Sequence, residues 1–242
     1  MTQIVTPYKD QATGKKEQVA TMFNNIAHRY DFLNQLLSLG IHKGWRRKAV
    51  QMISTIKPKQ ILDIATGTGD FAIEAMKLNP VKVTGVDISE GMLKFGNEKV
   101  QKLGLQDKIE LKKGDSESLP FADNSFDAIT VGFGVRNFEN LEKGINDIYR
   151  VLNSGGMIAI LEFSKPKKFP IKQFYHFYFR FITPFIGRIF SKDSSAYTYL
   201  PESVKAFPDG EDFLKVLKKA GFKETKTNPV TFGIASIYTA VK

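Results

Sequence analysis

The sequence predicts an α/β fold, Rossmann-like, with a mostly parallel seven-stranded sheet, helical lid elements and a carboxy-terminal antiparallel hairpin. Three observations predict it. Apolar, β-branched runs alternate with helically periodic segments between residues 60 and 163, the order that builds a parallel sheet with helices on both faces. Ile61-Leu62-Asp63-Ile64-Ala65-Thr66-Gly67-Thr68-Gly69-Asp70 reads as strand, tight glycine turn and helix start. Gly221 to Lys242 reads as two strands joined by a turn near Asn228-Pro229, and strands so joined must be antiparallel.

Taken in order, Met1 to Glu17 is polar and is expected to be loose or loosely docked. From Val19 to Ala49 the apolar spacing fits two short helices preceding the core and able to close over it. Strands are expected near Gln60–Ala65, Lys82–Asp87, Ile109–Lys113, Phe126–Phe133 and Met157–Phe163. Helices are expected near Asp70–Leu78, Glu90–Leu103, Leu141–Leu152 and Gly210–Ala220. The chain is thus expected to form one domain: a helical cap (18–57), a nucleotide-binding core (58–164), a basic aromatic insert (165–205), then the last helix and hairpin (206–242).

Composition narrows the chemistry. A chain of 242 residues with 42% hydrophobic content can bury one sizeable core. No cysteine is present, which excludes disulfides and thiolate chemistry. His28, His42 and His176 are scattered, so no metal site is expected. No apolar h-region follows Met1 and no apolar run approaches a membrane span, so a cytoplasmic protein is expected. The formal charge of +10 favours an anionic partner, either nucleic acid or phospholipid headgroups.

Ligands bind at the carboxyl ends of strands in such sheets, and the candidates gather there. Gly67 and Gly69 permit the sharp turn and keep side chains away from a bound nucleotide. Asp87, ending the second strand, is positioned for the two hydroxyls of a ribose. Asp115, past the third strand, can accept from an adenine amino group with Ser116 beside the ring. Gly67-x-Gly69-x-x-Ala72 also satisfies a dinucleotide fingerprint, so a nicotinamide cofactor competes. Asp63 and Asp70 tip the balance: negative charge there repels a pyrophosphate but suits the ammonium and sulfonium of S-adenosylmethionine. A parallel core ending in an antiparallel hairpin likewise matches methyltransferases that use this cofactor. Lys165 to Pro201 interleaves aromatics with Lys167, Lys168, Lys172, Arg180, Arg188 and Lys192. That mixture suits a bilayer interface, a large apolar substrate or a single strand of nucleic acid. A lid or a dimer helix packing its aromatics inward fits equally, which leaves a homodimer open.

Further motifs carry a family resemblance. Tyr30-Asp31-Phe32-Leu33-Asn34 through Ser38, His42 and Trp45, with Arg150-Val151-Leu152-Asn153-Ser154-Gly155-Gly156 through Leu161-Glu162-Phe163-Ser164, resembles the two signatures of the ubiquinone/menaquinone biosynthesis C-methyltransferases. The glycine loop, Leu119-Pro120-Phe121 and Phe133-Gly134-Val135-Arg136-Asn137 match in order and spacing. The departures are Thr66 for a frequent glycine, Leu33 for methionine, Asn153-Ser154 for Lys-Pro, and Gly132 where some members carry serine. The resemblance implies a Rossmann-like S-adenosylmethionine-dependent methyltransferase in which Thr68, Asp87, Asp115 and Ser116 bind the cofactor. It implies methylation of a ring carbon of an isoprenoid-tailed quinol, and demethylmenaquinol is the expected substrate, with a ubiquinone precursor as the alternative. The quinol must shed a phenolic proton, so a base is expected: His42 or Asp31, with Tyr30, Asn34, Arg136 and Asn137 orienting the quinol oxygens. The insert then rests on an anionic membrane. Nucleic acid is not expected, because Gly132-Phe133-Gly134-Val135 stands where an amino-methylating tetrapeptide would follow the fourth strand.

Overall fold

The computed structural model describes residues 5–9, 11–182 and 195–242. Its sheet has seven strands in the order β3-β2-β1-β4-β5-β7-β6. Strands β1 (Gln60–Ile64), β2 (Lys82–Asp87), β3 (Ile109–Lys113), β4 (Phe126–Gly132) and β5 (Leu152–Phe163) run parallel. Strands β6 (Lys223–Val230) and β7 (Ala235–Val241) are antiparallel, β7 pairing with β5. The central strand β1 is buried from Ile61 to Ile64, as expected for a sheet covered on both faces.

Helices α1 (Lys15–Ile26), α2 (Tyr30–Ser38) and α3 (Ile41–Met52) precede the sheet, followed by α4 (Asp70–Ala75), α5 (Glu90–Lys102) and α6 (Leu141–Val151). The insert contains α7 (Ile171–Phe177), continued by a wide π turn over Tyr178–Ile182, and α8 (Ser195–Ala206); α9 (Glu211–Lys219) precedes the hairpin. One apolar layer packs Ile145 and Ile148 of α6 and Phe213 and Leu217 of α9 against Leu62, Ile64 and Ile129. The opposite layer packs Trp45 and Ala49 of α3 and Phe71 of α4 against Ile61, Val83 and Ala128. A third cluster joins Val19, Met22 and Leu33 of the cap to Met92 of α5 and Tyr199 of α8, fixing the cap over the carboxyl ends of the strands.

Three expectations are corrected. The cap has three helices rather than two, because Leu39 and Gly40 adopt left-handed backbone and end α2 within the periodic run. The segment before residue 18 is docked, not loose, where it is described: Lys15 begins α1 and its Nζ donates to the carbonyls of Arg136 and Phe138 at 3.0 and 2.8 Å. The hairpin does not turn at Asn228-Pro229 but over Thr231–Gly233. Pro229 lies inside β6, an edge strand, where a missing N–H breaks no ladder bond on the open side. Phe185, Arg188, Phe190 and Lys192 of the insert lie outside the described residues.

Candidate functional site

The glycine loop between β1 and α4 is held from below by one carboxylate. Asp63 is fully buried, and it accepts from Thr66 Oγ1 at 2.5 Å and from Thr130 Oγ1 at 2.7 Å. Burial raises its pKa to about 6, against those two hydroxyls and the Ala72 N–H. Thr66 fits because β2 carries Gly85 opposite: a Cβ there would lie 2.8 Å from Thr66 Oγ1. A Cβ on Gly67, at φ +57°, would meet nothing within 4 Å, so the loop backbone faces open space. Gly69, at φ +78°, ends the turn into α4.

Beyond the loop lies a polar cleft. Asp87 Oδ2 accepts from Gly67 N and Oδ1 from Ser89 N, both at 2.8 Å. Each carboxylate oxygen has further lone-pair capacity, and burial raises the pKa of the group. Asp115 and Ser116 line the same cleft. Asp115 Oδ2 is paired with Lys16 Nζ at 2.7 Å, and Oδ1 accepts from Glu117 N at 2.9 Å. Asn137 also lines this cleft, with Oδ1 accepting from Tyr199 OH at 3.0 Å and Nδ2 donating to the Phe133 carbonyl at 3.2 Å. Asn137, expected among the quinol-facing groups, is thus tied to Tyr199 and Phe133, which line the neighbouring larger cavity.

The second cavity, of about 720 Å³, opens between the cap, the glycine loop and α7. It meets the polar cleft at Phe23, Tyr30, Ala65, Gly67, Gly132 and Phe133. Its exposed lining is mainly apolar, with polar groups set into it. The Tyr30 phenol is hydrogen-bonded to Asn34, and burial pushes its pKa up. His42 Nδ1 makes a short contact with Ser38 Oγ, while Ser38 Oγ donates to the Asn34 carbonyl at 2.6 Å. A carbonyl can only accept, so the Ser38 proton is committed there and its oxygen accepts from His42 Nδ1–H. Nε2 then carries the lone pair, and burial with the nearby Arg46 charge lowers the histidine pKa to about 4. On the facing wall, Arg136 Nη1 donates to Glu162 Oε1 at 2.9 Å, with side chains 8% and 0% exposed. Arg136 Nε is buried and has no protein acceptor.

Asp31 does not line this cavity. Its Oδ1 accepts from Thr68 Oγ1 at 2.6 Å and its Oδ2 pairs with Lys99 at 2.6 Å. Lys99 also binds Asp70 at 2.6 Å, and Asp70 binds Arg46 at 2.9 Å. Asp31, expected as a candidate base, thus pairs with Thr68 and Lys99 and ties α2 to the glycine loop. Sequence reasoning missed Lys99, Arg46, Lys16 and Tyr199, none of which stands in a recognisable spacing with its partner. Glu162 and Trp45 stood within the second and first signatures, but their roles were not evident. Trp45 Nε1 donates to Thr231 Oγ1 at 2.8 Å and its ring lies 6.2 Å from Phe133, closing the cavity wall. Among the described residues, no cluster of three or more His, Cys, Asp or Glu could hold a metal ion.

The residues fit S-adenosylmethionine: open space at Gly67, spare acceptors on Asp87 and a carboxylate-rich loop in place of a pyrophosphate cradle. Comparison with known proteins agrees. The model of the ubiE/COQ5 methyltransferase family matches residues 11–242. Demethylmenaquinone methyltransferase from Bacteroides fragilis is 51% identical over 239 residues, covering 98% of this chain and 97% of the relative. Ubiquinone/menaquinone biosynthesis C-methyltransferase UbiE from Geotalea daltonii is 46% identical over 232 residues, covering 95% and 98%. Among solved structures, a SAM-dependent methyltransferase from Aquifex aeolicus superposes with a TM-score of 0.55 at 22% identity, covering 76% of this chain and 82% of that one. The [4+2]-cyclase SpnF superposes with a TM-score of 0.68 at 16% identity, covering 94% and 96%. The fold is therefore shared with a cyclase, and function must be read from the site.

Proposed function

This chain belongs to the ubiE/COQ5 methyltransferase family, and we propose that it methylates the ring carbon of demethylmenaquinol, giving menaquinol and S-adenosylhomocysteine. It is an S-adenosylmethionine-dependent methyltransferase. The observation that carries the substrate reading is the junction of the two clefts. A polar nucleoside cleft meets a mainly apolar cavity of about 720 Å³ that carries a small set of polar groups, Tyr30, Asn34, His42 and Arg136 among them. A quinol head with an isoprenoid tail has that distribution of polarity, and the volume lies within the usual range for ligand sites, roughly 300–1,000 Å³. Relatives named demethylmenaquinone methyltransferase, at 51% and 46% identity, favour the naphthoquinol. The second reading is the 6-methoxy-benzoquinol precursor of ubiquinone, favoured by relatives named for both pathways.

In this reading Asp87 holds the ribose hydroxyls, Asp115 and Ser116 border the adenine, and Asp63, Gly67, Thr68 and Gly69 shape the loop beside the methionine portion. S-adenosylmethionine, when bound, supplies an electrophilic methyl group on a sulfonium. The chain's own task is to make the acceptor carbon electron-rich and to exclude water. His42 Nε2 takes the phenolic proton; its lowered pKa keeps it unprotonated at pH 7 but makes it a weak base, so the transfer relies on the Arg136 charge to stabilise the quinolate. The Arg136 guanidinium, in the cavity lining, places positive charge near the resulting quinolate oxygen, with Glu162 balancing part of it. Tyr30 and Asn34 orient the opposite oxygen. The substrate's source is the face of an anionic membrane, touched without being crossed. Among the described residues no helix is long and apolar enough to span one.

The test is transfer of labelled methyl to chemically reduced demethylmenaquinone, with the 6-methoxy benzoquinol in parallel. Label in the naphthoquinol is expected, and the ratio of the two distinguishes the readings. Cofactor binding with no label in either would overturn the substrate reading.

A further inference from the structure

Leu39 and Phe232 stand in an unusual position twice over. Both adopt left-handed backbone, φ +49° and +58°, which non-glycine residues rarely do. Both are large and apolar, yet 81% and 80% exposed. They come from distant places in the chain, the α2–α3 turn and the β6–β7 turn, and both stand at the mouth of the large cavity. Ile41 joins them from the start of α3, and Phe174 and Phe177 from α7, all exposed. The mouth is thus rimmed by apolar side chains from three separate elements. Singly exposed apolar residues need no explanation, but a contiguous ring around a cavity does.

Charge identifies what the ring faces. Between residues 164 and 192 the sequence holds seven Lys and Arg and no Asp or Glu, although the chain has 25 acidic residues in all. Lys167, Lys168 and Lys172 are exposed on the α7 side of the rim, and Lys43 on the α3 side. Arg180 is also exposed, lying 5.7 Å from the ring of Phe181. Apolar side chains inside a belt of cations are complementary to a leaflet of anionic headgroups over acyl chains. A second copy docked on this face would oppose lysine to lysine. Nucleic acid would leave the aliphatic Leu39 and Ile41 without bases to stack on.

We propose that this rim seats the protein on an anionic lipid bilayer, with Leu39, Phe174, Phe177 and Phe232 entering the acyl boundary and the cavity mouth opening towards it. The inference rests on the quinol reading, since a polyprenyl tail then passes from bilayer to cavity without crossing water.

The experiment uses two single-tryptophan additions to the full chain, Phe232→Trp on the rim and Val81→Trp, exposed at the opposite, amino-terminal ends of the strands. The native Trp45 is buried and contributes equally to both. Vesicles of phosphatidylglycerol and phosphatidylcholine with brominated acyl chains should quench Phe232→Trp and leave Val81→Trp unchanged. Neutral vesicles, or high salt, should lower the bound fraction. Replacing Lys167 and Lys168 with serine should weaken vesicle binding about fivefold each. Absence of quenching at position 232, or equal quenching at both positions, overturns the proposal. A concentration-dependent dimer that leaves Phe232→Trp unquenched assigns the rim to a second copy and overturns it equally. Selective quenching without methyl transfer to demethylmenaquinol supports the seating and overturns the substrate assignment. Transfer to a tail-less quinol without quenching overturns the seating alone.

Discussion

Ser38→Ala is the substitution that most directly probes how the site holds its base. Ser38 touches no cofactor residue; its oxygen accepts from His42 Nδ1–H while its proton goes to the Asn34 carbonyl. Removing the hydroxyl leaves a buried N–H without an acceptor, which costs about 1–3 kcal/mol. His42 is 6% exposed, so water cannot readily replace the serine. The histidine escapes the cost by moving its proton to Nε2, and that tautomer cannot accept from a quinol. A penalty of this size corresponds to a fall of roughly 10- to 100-fold in kcat/KM. His42→Gln should lose more, about 10²- to 10⁴-fold, the usual worth of a general base. Because Ser38 acts through His42, the double variant should be no slower than His42→Gln, and Ser38→Thr should restore most of the rate. The assay is initial-rate methyl transfer from pH 4 to 8. The acid limb should fall near pH 4 rather than near 6.5, since burial and Arg46 depress the imidazole. Full turnover by His42→Gln, or additive losses in the double variant, would refute the reasoning.

Three further outcomes follow from the geometry. Gly132→Ser would put a Cβ 2.8 Å from the Phe71 ring, so unfolding free energy in urea should drop by about 1–3 kcal/mol and recover with Phe71→Leu. Lys99→Met removes the cation between Asp31 and Asp70; these groups are partly exposed, so stability should fall by only ~1 kcal/mol, while the KM for S-adenosylmethionine rises severalfold as the cap detaches from Thr68. Asp63 binds its proton more tightly folded, at about 6, than unfolded, at 3.8. Its contribution is therefore fully present below the unfolded value and is lost as pH rises through about 6. Asp63→Asn should flatten that part of the pH dependence of unfolding and weaken cofactor binding in calorimetry.

The backbone that carries the proposed cofactor residues was legible because its pattern is local. Asp63, Gly67 and Gly69 fall within one strand–turn–helix unit, and Asp87 is placed by the end of the next strand. Strand periodicity located all five parallel strands, although β5 begins at Leu152, earlier than Met157, because Leu152 pairs with Phe126 across a bulge. Helix α8 was hidden by Pro201, a breaker signal that the chain absorbs mid-helix. The hairpin turn was misplaced for a related reason: Asn-Pro is a strong turn signal, but an edge strand tolerates it. Asp31 and Asn137 were expected at the quinol because the polar groups of the motifs were expected to converge above β4 and β5. The partners they meet, Lys99 on α5 and Tyr199 on α8, stand 68 and 62 residues away, in elements whose approach no local pattern encodes.

The two departures at the loop show how far a site residue depends on its neighbour across the sheet. Thr66 adds a side chain to a turn that must leave room for a nucleoside, yet its hydroxyl points down to Asp63 and its bulk enters the notch left by Gly85. Register puts Gly85 beside Asp63 on one flank and Thr130 beside it on the other. The buried carboxylate thus receives one hydroxyl from its own loop and one from β4, and the loop's upper face stays backbone. Gly132 is the mirror case, where the absence of a side chain makes room for Phe71 beneath the cavity floor. In both, the ligand-facing surface is kept bare because side-chain volume is taken up on the protein side. A glycine, as the family resemblance implies at this position, and the threonine here can therefore present the same face to the cofactor. The identity of the substrate then depends on the cap and the rim rather than on the loop.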